Sequence, residues 1–362
     1  MRIYQKQIIK FTLLLAGGLI WNQDGARALA FNYPDFSPAW LTAVPLQLNG
    51  NAAAPVTGHE GAAVLRLTTA ATSQQGSAFS LDPIQLGTNA SFSTAFAFQL
   101  ANGGGSLNDG NQPPEPPGAD GIVFVLTTSG NTVGAIGQGV GYQGIANSVG
   151  IKFDTWQDGA GNGFPQDSDP NGNFVAVYTG GTTQTAGYVP YSPANPGTTP
   201  QYYTPATYMK NGEVWRAWID YDGTTGVLEV RLADGTDARP VNPQLSQTIY
   251  LTNSTALGAS PKVYAGFTSA TGGQYQDQDI LKWQFFDHFN PGGAPKLNVQ
   301  PVTNGVVVSW PAAATGFQLQ QNPDLNTGHW VSSAVQPTVA NGTNQVVISP
   351  ATGNLFFRLI SQ

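Results

Sequence analysis

Ser91-Phe92-Ser93-Thr94-Ala95-Phe96-Ala97-Phe98-Gln99-Leu100 places its large apolar residues at every second position. Successive side chains of a strand point to opposite faces, so this period of two predicts a strand with one face in a core. Residues 122–126 form a continuous apolar run, the pattern of a strand buried on both faces. Residues 174–178, 214–221, 227–232, 263–268 and 280–286 continue the series, separated by Gly, Asn, Asp and Pro. No amphipathic helix longer than about two turns emerges. The expectation is an all-β sandwich, an architecture that holds roughly 200–250 residues in one domain. Two long inserts interrupt it. Residues 102–118, rich in Gly, Asn and Pro, are expected to form a mobile loop, and residues 180–212 an exposed surface loop in preference to a ligand-contacting one.

Composition agrees with many turns and few helices. Only 10% of the 362 residues are charged, against 44 Gly and 26 Pro. A formal net charge of −7, with no basic run after the first ten residues, argues against nucleic acid as a partner. The absence of cysteine excludes disulfides, thiolate zinc sites and thiol catalysis. At the start, Arg2, Lys6 and Lys10 precede an apolar stretch over residues 11–21, and Ala28-Leu29-Ala30 supplies a small-x-small cleavage pattern. Residues 1–30 are therefore expected to be a secretory signal, with Phe31 as the mature start and an extracellular, cell-surface or periplasmic destination. The apolar run falls short of the roughly 20 residues that a membrane span needs, and no later segment reaches that length either.

A breaker cluster, Asn290-Pro291-Gly292-Gly293-Ala294-Pro295, marks a boundary. It separates a large domain (31–290) from a small one (296–362) through a linker at 291–295. In the small domain Val306-Val307-Val308-Ser309-Trp310, Phe317-Gln318-Leu319-Gln320, Trp330-Val331, Gln345-Val346-Val347-Ile348 and Phe356-Phe357-Arg358-Leu359 mark strands of an immunoglobulin-like or fibronectin-like sandwich. It has no clustered carboxylates and a single histidine, His329, which suits an accessory or attachment module. This part resembles the small terminal β modules appended to secreted bacterial proteins.

The chemistry concentrates elsewhere. Val149-Gly150-Ile151-Lys152-Phe153-Asp154-Thr155-Trp156-Gln157-Asp158, followed after a Gly-rich gap by Asp167-Ser168-Asp169-Pro170-Asn171, delivers four carboxylates into one region beside an indole. Hard oxygen ligands gathered this way suit a divalent cation, most naturally Ca2+. The indole offers a flat face for the apolar side of a sugar ring. The plain alternative is an acidic surface loop that holds no metal.

Several motifs, in order, carry a family resemblance. They are Phe31-Asn32-Tyr33, Gly76-Ser77-Ala78-Phe79 with Ser91-Phe92-Ser93-Thr94-Ala95-Phe96, Ala119-Asp120-Gly121-Ile122-Val123-Phe124, and Gly139-Val140-Gly141-Tyr142-Gln143-Gly144-Ile145. Phe153-Asp154-Thr155, Trp218-Ile219-Asp220-Tyr221-Asp222 and Gly266-Phe267-Thr268-Ser269-Ala270-Thr271-Gly272 complete the set. Between Phe31 and about Phe289 the chain resembles the legume-type (L-type) lectins. That resemblance implies a concanavalin-like jelly roll of two large antiparallel sheets.

It also implies site residues. Asp120, after a cis peptide from Ala119, would accept hydrogen bonds from two sugar hydroxyls, since a fixed carboxylate has several acceptor positions. The backbone amide facing the ligand would come from Gly141, and Trp156 would stack under the sugar. The calcium ligands would be Asp154, the Trp156 carbonyl, Asp158 and Asp169, with Asp167 competing for the closing role and the Asp-Pro-Asn sequence favouring Asp169. Asp158 would contact a sugar hydroxyl as well. Gly272-Gly273-Gln274-Tyr275-Gln276-Asp277 matches the loop that tunes sugar choice, with Gly273, Gln274 and Tyr275 as contact candidates; an ordinary polar hairpin loop accounts for it equally well.

One departure stands out. Plant members hold a second, transition metal with a Glu and a His at the positions of Lys152 and Phe174. An ammonium and a phenyl ring cannot ligate a cation, so the second site is expected to be absent, with Lys152 pairing to Asp154 or Asp169 instead. Nor is there an enzyme signature. Glycosidases of this fold project paired carboxylates from a Glu-x-Asp-x-x-Glu strand, and the nearest match, residues 152–157, lacks both glutamates. Glu115, Glu213 and Glu229 are scattered, His59 and His288 have no motif around them, and no Gly-x-Ser-x-Gly elbow occurs. The expectation is non-catalytic, calcium-dependent binding of glycans or glycoconjugates. The alternatives are a hydrolase or lyase of this fold, or an adhesive protein with an inactive sugar site. Weak binding at each shallow site would call for a homo-oligomer or a surface tether.

Overall fold

The computed structural model describes residues 29–58, 61–105, 115–158, 169–181, 202–253, 256–258, 262–291, 297–312, 317–324, 327, 329–349 and 354–361. The alternating segment forms the middle of strand Phe92–Gly104, paired with Val214–Asp222 on one side and Tyr275–Phe286 on the other. This sheet has eight strands. Its order is Leu245–Thr248, Val227–Asp234, Val214–Asp222, Phe92–Gly104, Tyr275–Phe286, Ala63–Thr68 and Ala53–Thr57, with Leu29–Tyr33 also paired to Tyr275–Phe286. The second sheet also has eight. Its order is Tyr202–Tyr203, Phe174–Thr179, Ser148–Asp154, Gly121–Thr127, Lys262–Ala270, Gln75–Ser80 and Leu46–Gly50, with Ile84–Gln85 also paired to Lys262–Ala270. The pairings are antiparallel throughout. Among the described residues the one α-helix is Pro38–Ala43, six residues long.

The period of two has a direct physical outcome. Phe92, Phe96, Phe98 and Leu100 share one face and enter the main core, where Phe96 lies 4.9 Å from Phe267 and Phe267 lies 4.7 Å from Trp283, centroid to centroid. Phe31, the expected first mature residue, joins them with its ring 4.4 Å from Trp283. Each such ring contributes roughly 1.5–3 kcal/mol by leaving water. The continuous run at 122–126 is explained by two cores. Ile122, Phe124 and Leu126 face the space between the sheets, while Val123 and Val125 face a second cluster roofed by Val140, Tyr142 and Ile145. A strand covered on both sides has no face that tolerates polar residues.

Both insert readings need correction. Asn102 and Gly104 belong to the strand that starts at Phe92, and the Asn102 amide donates to Asp277 Oδ2 at 2.7 Å, so the expected loop begins later. In the second insert, Tyr202–Tyr203 pairs with Phe174–Thr179, and Met209 and Lys210 are buried. That part is not an exposed loop, because apolar contacts and backbone hydrogen bonds hold it against the sheets. Residues 106–114 and 182–201 lie outside the described residues, as do the expected signal up to residue 28, His59 and most of the expected linker.

Beyond residue 296, Asn298–Val302, Gly305–Pro311, Thr343–Ile348 and Thr338–Ala340 form one sheet, and Val331–Ser332, Phe317–Asn322 and Phe356–Ser361 a second. Val308, Trp310 and Val346 from the first meet Leu319 from the second in a core of their own. All five expected strand segments are present in whole or in part, and two short strands add to them.

Candidate functional site

Strands Gly121–Thr127 and Ser148–Asp154 run antiparallel with Gly121 opposite Asp154, which brings the turn before one beside the loop after the other. Asp120 sits at this meeting point. The Ala119–Asp120 peptide is cis, as the resemblance implied. The Asp120 N–H donates to the Ala270 carbonyl and its carbonyl accepts from the Thr155 N–H, both at 3.1 Å. Glycine is required next: Gly121 has φ +116°, and a Cβ there would lie 2.1 Å from the Phe153 carbonyl oxygen. The Asp120 side chain is 5% exposed, and its Oδ2 has no hydrogen-bond partner within the protein. A Cβ at Gly272 would lie 3.7 Å from that oxygen, so the bare Gly272 backbone leaves the approach to it open.

Lys152 and Asp154 share a strand face, two residues apart, on the side away from the main core. The Lys152 ammonium contacts Asp154 Oδ2 and lies 3.9 Å from Asp169 Oδ1. It also sits over the rings of Phe174 and Tyr178, 5.5 and 5.7 Å from their centroids. The expected pairing of Lys152 is therefore made with Asp154 directly and with Asp169 at longer range. Asp154 Oδ1 accepts the Trp156 N–H at 2.7 Å, and Asp169 Oδ2 accepts the Asp158 N–H at 3.0 Å, closing the loop onto itself. Asp167 lies outside the described residues.

The electrostatics show an excess of negative charge. Asp120, Asp154, Asp158 and Asp169 are each 8% exposed or less. Burial pushes the Asp120 carboxyl well above the usual range, and Asp158 and Asp154 push it further, against Lys152 and Lys210. Asp154 is raised too, by burial first and by Asp158, with Lys152 and the Trp156 N–H opposing. Burial disfavours the Lys152 ammonium, yet the Asp154, Asp169 and Asp158 carboxylates outweigh it and hold the group charged. A buried cluster of acids that raise one another's proton affinity fits one divalent cation in charge and donor type. Among the described residues, however, no three His, Cys, Asp or Glu side chains already stand in a metal-holding arrangement, and Lys152 and backbone N–H groups engage oxygens of Asp154 and Asp169. A second, transition metal does not fit: an ammonium and an aromatic ring stand beside Asp154 where further donors would be needed.

The remaining expected residues divide. Trp156 is partly exposed beside this cluster. The Gly141 N–H donates to the Ala135 carbonyl at 2.9 Å, Gly141 is buried, and a Cβ on it would point at Ser269. That amide is engaged within its own loop, and Gly272 is the glycine next to Asp120 Oδ2. Gly273 is exposed, whereas Gln274 is 2% exposed, with its amide against Gly105. The Tyr275 ring packs on Gly104 and is partly exposed.

Sequence reasoning missed Lys210. Its ammonium donates to Thr155 O at 2.7 Å and Gly118 O at 3.1 Å, pairs with Glu115 Oε1 at 2.5 Å and lies over the Trp156 ring, 5.9 Å from its centroid. One signal existed: Lys210 is the sole charged residue between Gly180 and Gly212. Gln276 was missed as well. It is fully buried, and its amide donates to Thr155 Oγ1 at 3.0 Å.

The profile of the legume lectin beta-barrel domain matches residues 42–282, more than half of the chain. The chain belongs to the L-type lectin family. Relatives of this lectin domain include the L-type lectin-domain containing receptor kinase SIT2 of Oryza sativa subsp. japonica, 28% identical over 256 residues, covering 65% of this chain and 33% of that protein. Receptor kinase IV.2 of Arabidopsis thaliana is 27% identical over 306 residues, covering 81% of this chain and 39% of that protein. The chain thus spans about a third of the length of the receptor kinases it matches. Among solved structures, lectin II from Ulex europaeus superposes with a TM-score of 0.52 at 21% identity, covering 72% of this chain and 99% of that one. The likeness is one of fold, and it makes the large domain a lectin jelly roll.

Proposed function

We propose that this lectin-domain protein is a secreted, non-catalytic carbohydrate-binding protein whose sugar is gripped by Asp120 and stacked on Trp156. The observation that carries this reading is Asp120 Oδ2, a buried carboxylate oxygen without a protein partner, with the side-chain-free Gly272 next to it. A buried acceptor left unmatched costs free energy, and a hydroxyl from a saccharide would satisfy it. Asp154, Asp158 and Asp169, with the Trp156 carbonyl, would hold one Ca2+, which would neutralise the acid cluster and brace the Trp156 loop. The Asp154 carboxylate would have to turn from Lys152 towards the ion. Gly273 and Tyr275, at the rim, are proposed to tune the choice of sugar, and Gln274 to support them from below. The partners would be glycans or glycoconjugates, and the shallow site favours several copies or a tether, a role open to the small terminal domain.

A hydrolase reading gains nothing here, since Asp154 and Asp169 are already engaged by Lys152 or by backbone N–H groups. The deciding experiment is a glycan array probed with calcium and again with chelator. Retained glycans that vanish with chelator are the expected result. An array without a single calcium-dependent glycan would sink the reading.

A further inference from the structure

We infer that Lys210 is the positioning residue of this site, setting the Trp156 ring against Asp120. This rests on the carbohydrate reading above for its function, although the geometry stands by itself. The segment that carries Lys210 runs from Tyr202–Tyr203 on the second sheet to Val214–Asp222 on the first. It is fixed on both sides. The Asn173 amide donates to Thr207 O at 2.9 Å and its Oδ1 accepts the Met209 N–H at 2.9 Å, while the Gly212 N–H donates to Leu100 O at 3.1 Å and its carbonyl accepts from Gln99 at 2.7 Å. The side chain is thereby aimed inward with 2% exposure.

What it touches gives it its role. Gly118 O belongs to the turn that leads into Ala119–Asp120, and Thr155 O belongs to the residue between Asp154 and Trp156. A single ammonium therefore ties the turn of the sugar-gripping acid to the loop of the stacking ring, and its charge lies on that ring. It also favours the ionised form of the Asp120 carboxyl. Ammonium donors are charge-assisted and hold carbonyls more firmly than neutral groups do. With the ammonium removed, two buried carbonyls and Glu115 lose a donor, and the indole is released from one side.

The test uses the absence of native cysteine. Lys210→Cys can be alkylated with 2-bromoethylamine in denaturant and refolded, which rebuilds a lysine-like ammonium at that one position. Two readouts are followed in full-length protein labelled with 5-fluorotryptophan. One is the fluorine resonance of Trp156, assigned by its loss in Trp156→Phe. The other is the Kd for the tightest of the methyl α-glycosides of mannose, glucose and galactose, in calcium. Lys210→Cys is expected to move the Trp156 resonance and weaken the glycoside by about ten-fold, and aminoethylation to return both. A folded Lys210→Cys protein with resonance and Kd unmoved overturns the inference, as does a loss that aminoethylation does not reverse. Should Lys210→Cys fail to refold without alkylation, Lys210→Gln with Glu115→Gln removes both charges together, and an unmoved Trp156 resonance there overturns it equally. If none of the glycosides binds the parent protein, the sugar reading fails while the Trp156 resonance still decides the role of Lys210.

Discussion

Lys152 and Asp154, two residues apart on one strand, meet through their charged ends with 0% and 1% of their side chains exposed. The lysine is a cation built into the acid cluster, and removing it takes the paired counter-charge from Asp154. Lys152→Met is expected to lower stability by about 3–5 kcal/mol, read from urea denaturation in chelator. Calcium should then raise the melting temperature more in the variant than in the parent, because the cation has more negative charge to neutralise. Equal calcium shifts in the two proteins would show that the ion does not bind among these acids.

Asp120→Asn should abolish sugar binding and leave the fold intact. The fold makes no use of Asp120 Oδ2, and the charge at this position is opposed by burial and by two neighbouring aspartates. The melting temperature should hold steady or rise while glycan binding disappears. Retained binding would move the grip to another residue.

Trp156→Ala should weaken the sugar by about 1–2 kcal/mol, a factor of roughly 5–30 in Kd, if the indole is the main stacking surface. Titration calorimetry of the parent and the variant measures this directly. A change below two-fold would assign the stacking to a different ring, with Tyr275 next to be tested.

Gly121→Ala probes the turn itself. An added methyl would meet the Phe153 carbonyl at 2.1 Å in a backbone conformation with φ +116° that side chains avoid. Local strain of this type costs on the order of 1–3 kcal/mol, and relieving it would part the two strands that hold Asp120 and Asp154. Stability and sugar binding should both fall. Unchanged binding would mean that the turn tolerates displacement.

Much of this was legible along the chain because it is local. The alternation at Phe92, Phe96, Phe98 and Leu100 announces a half-buried strand, and the solid run at Ile122–Leu126 announces cover on both faces. The Asp154 to Asp158 segment announces its acids by spacing alone. Lys210 was not legible in this way. Its partners lie 92 and 55 residues away, and nothing in the surrounding Thr, Pro and Tyr residues forms a period that would orient it. The partner of the Gly141 N–H was not legible for a related reason. A motif gives a residue its place in a loop, but the carbonyl its N–H meets is set by the path of that loop, and here the Ala135 carbonyl takes it.

The main-chain N–H and carbonyl of Asp120 are both fastened, to Ala270 and Thr155, by bonds that involve no side chain. The pitch of this acid is therefore indifferent to which residues decorate the surrounding rim. On the proposed reading, an exchange at Gly273 or Tyr275 would change the choice of saccharide while the Asp120 main chain stays fastened where it is.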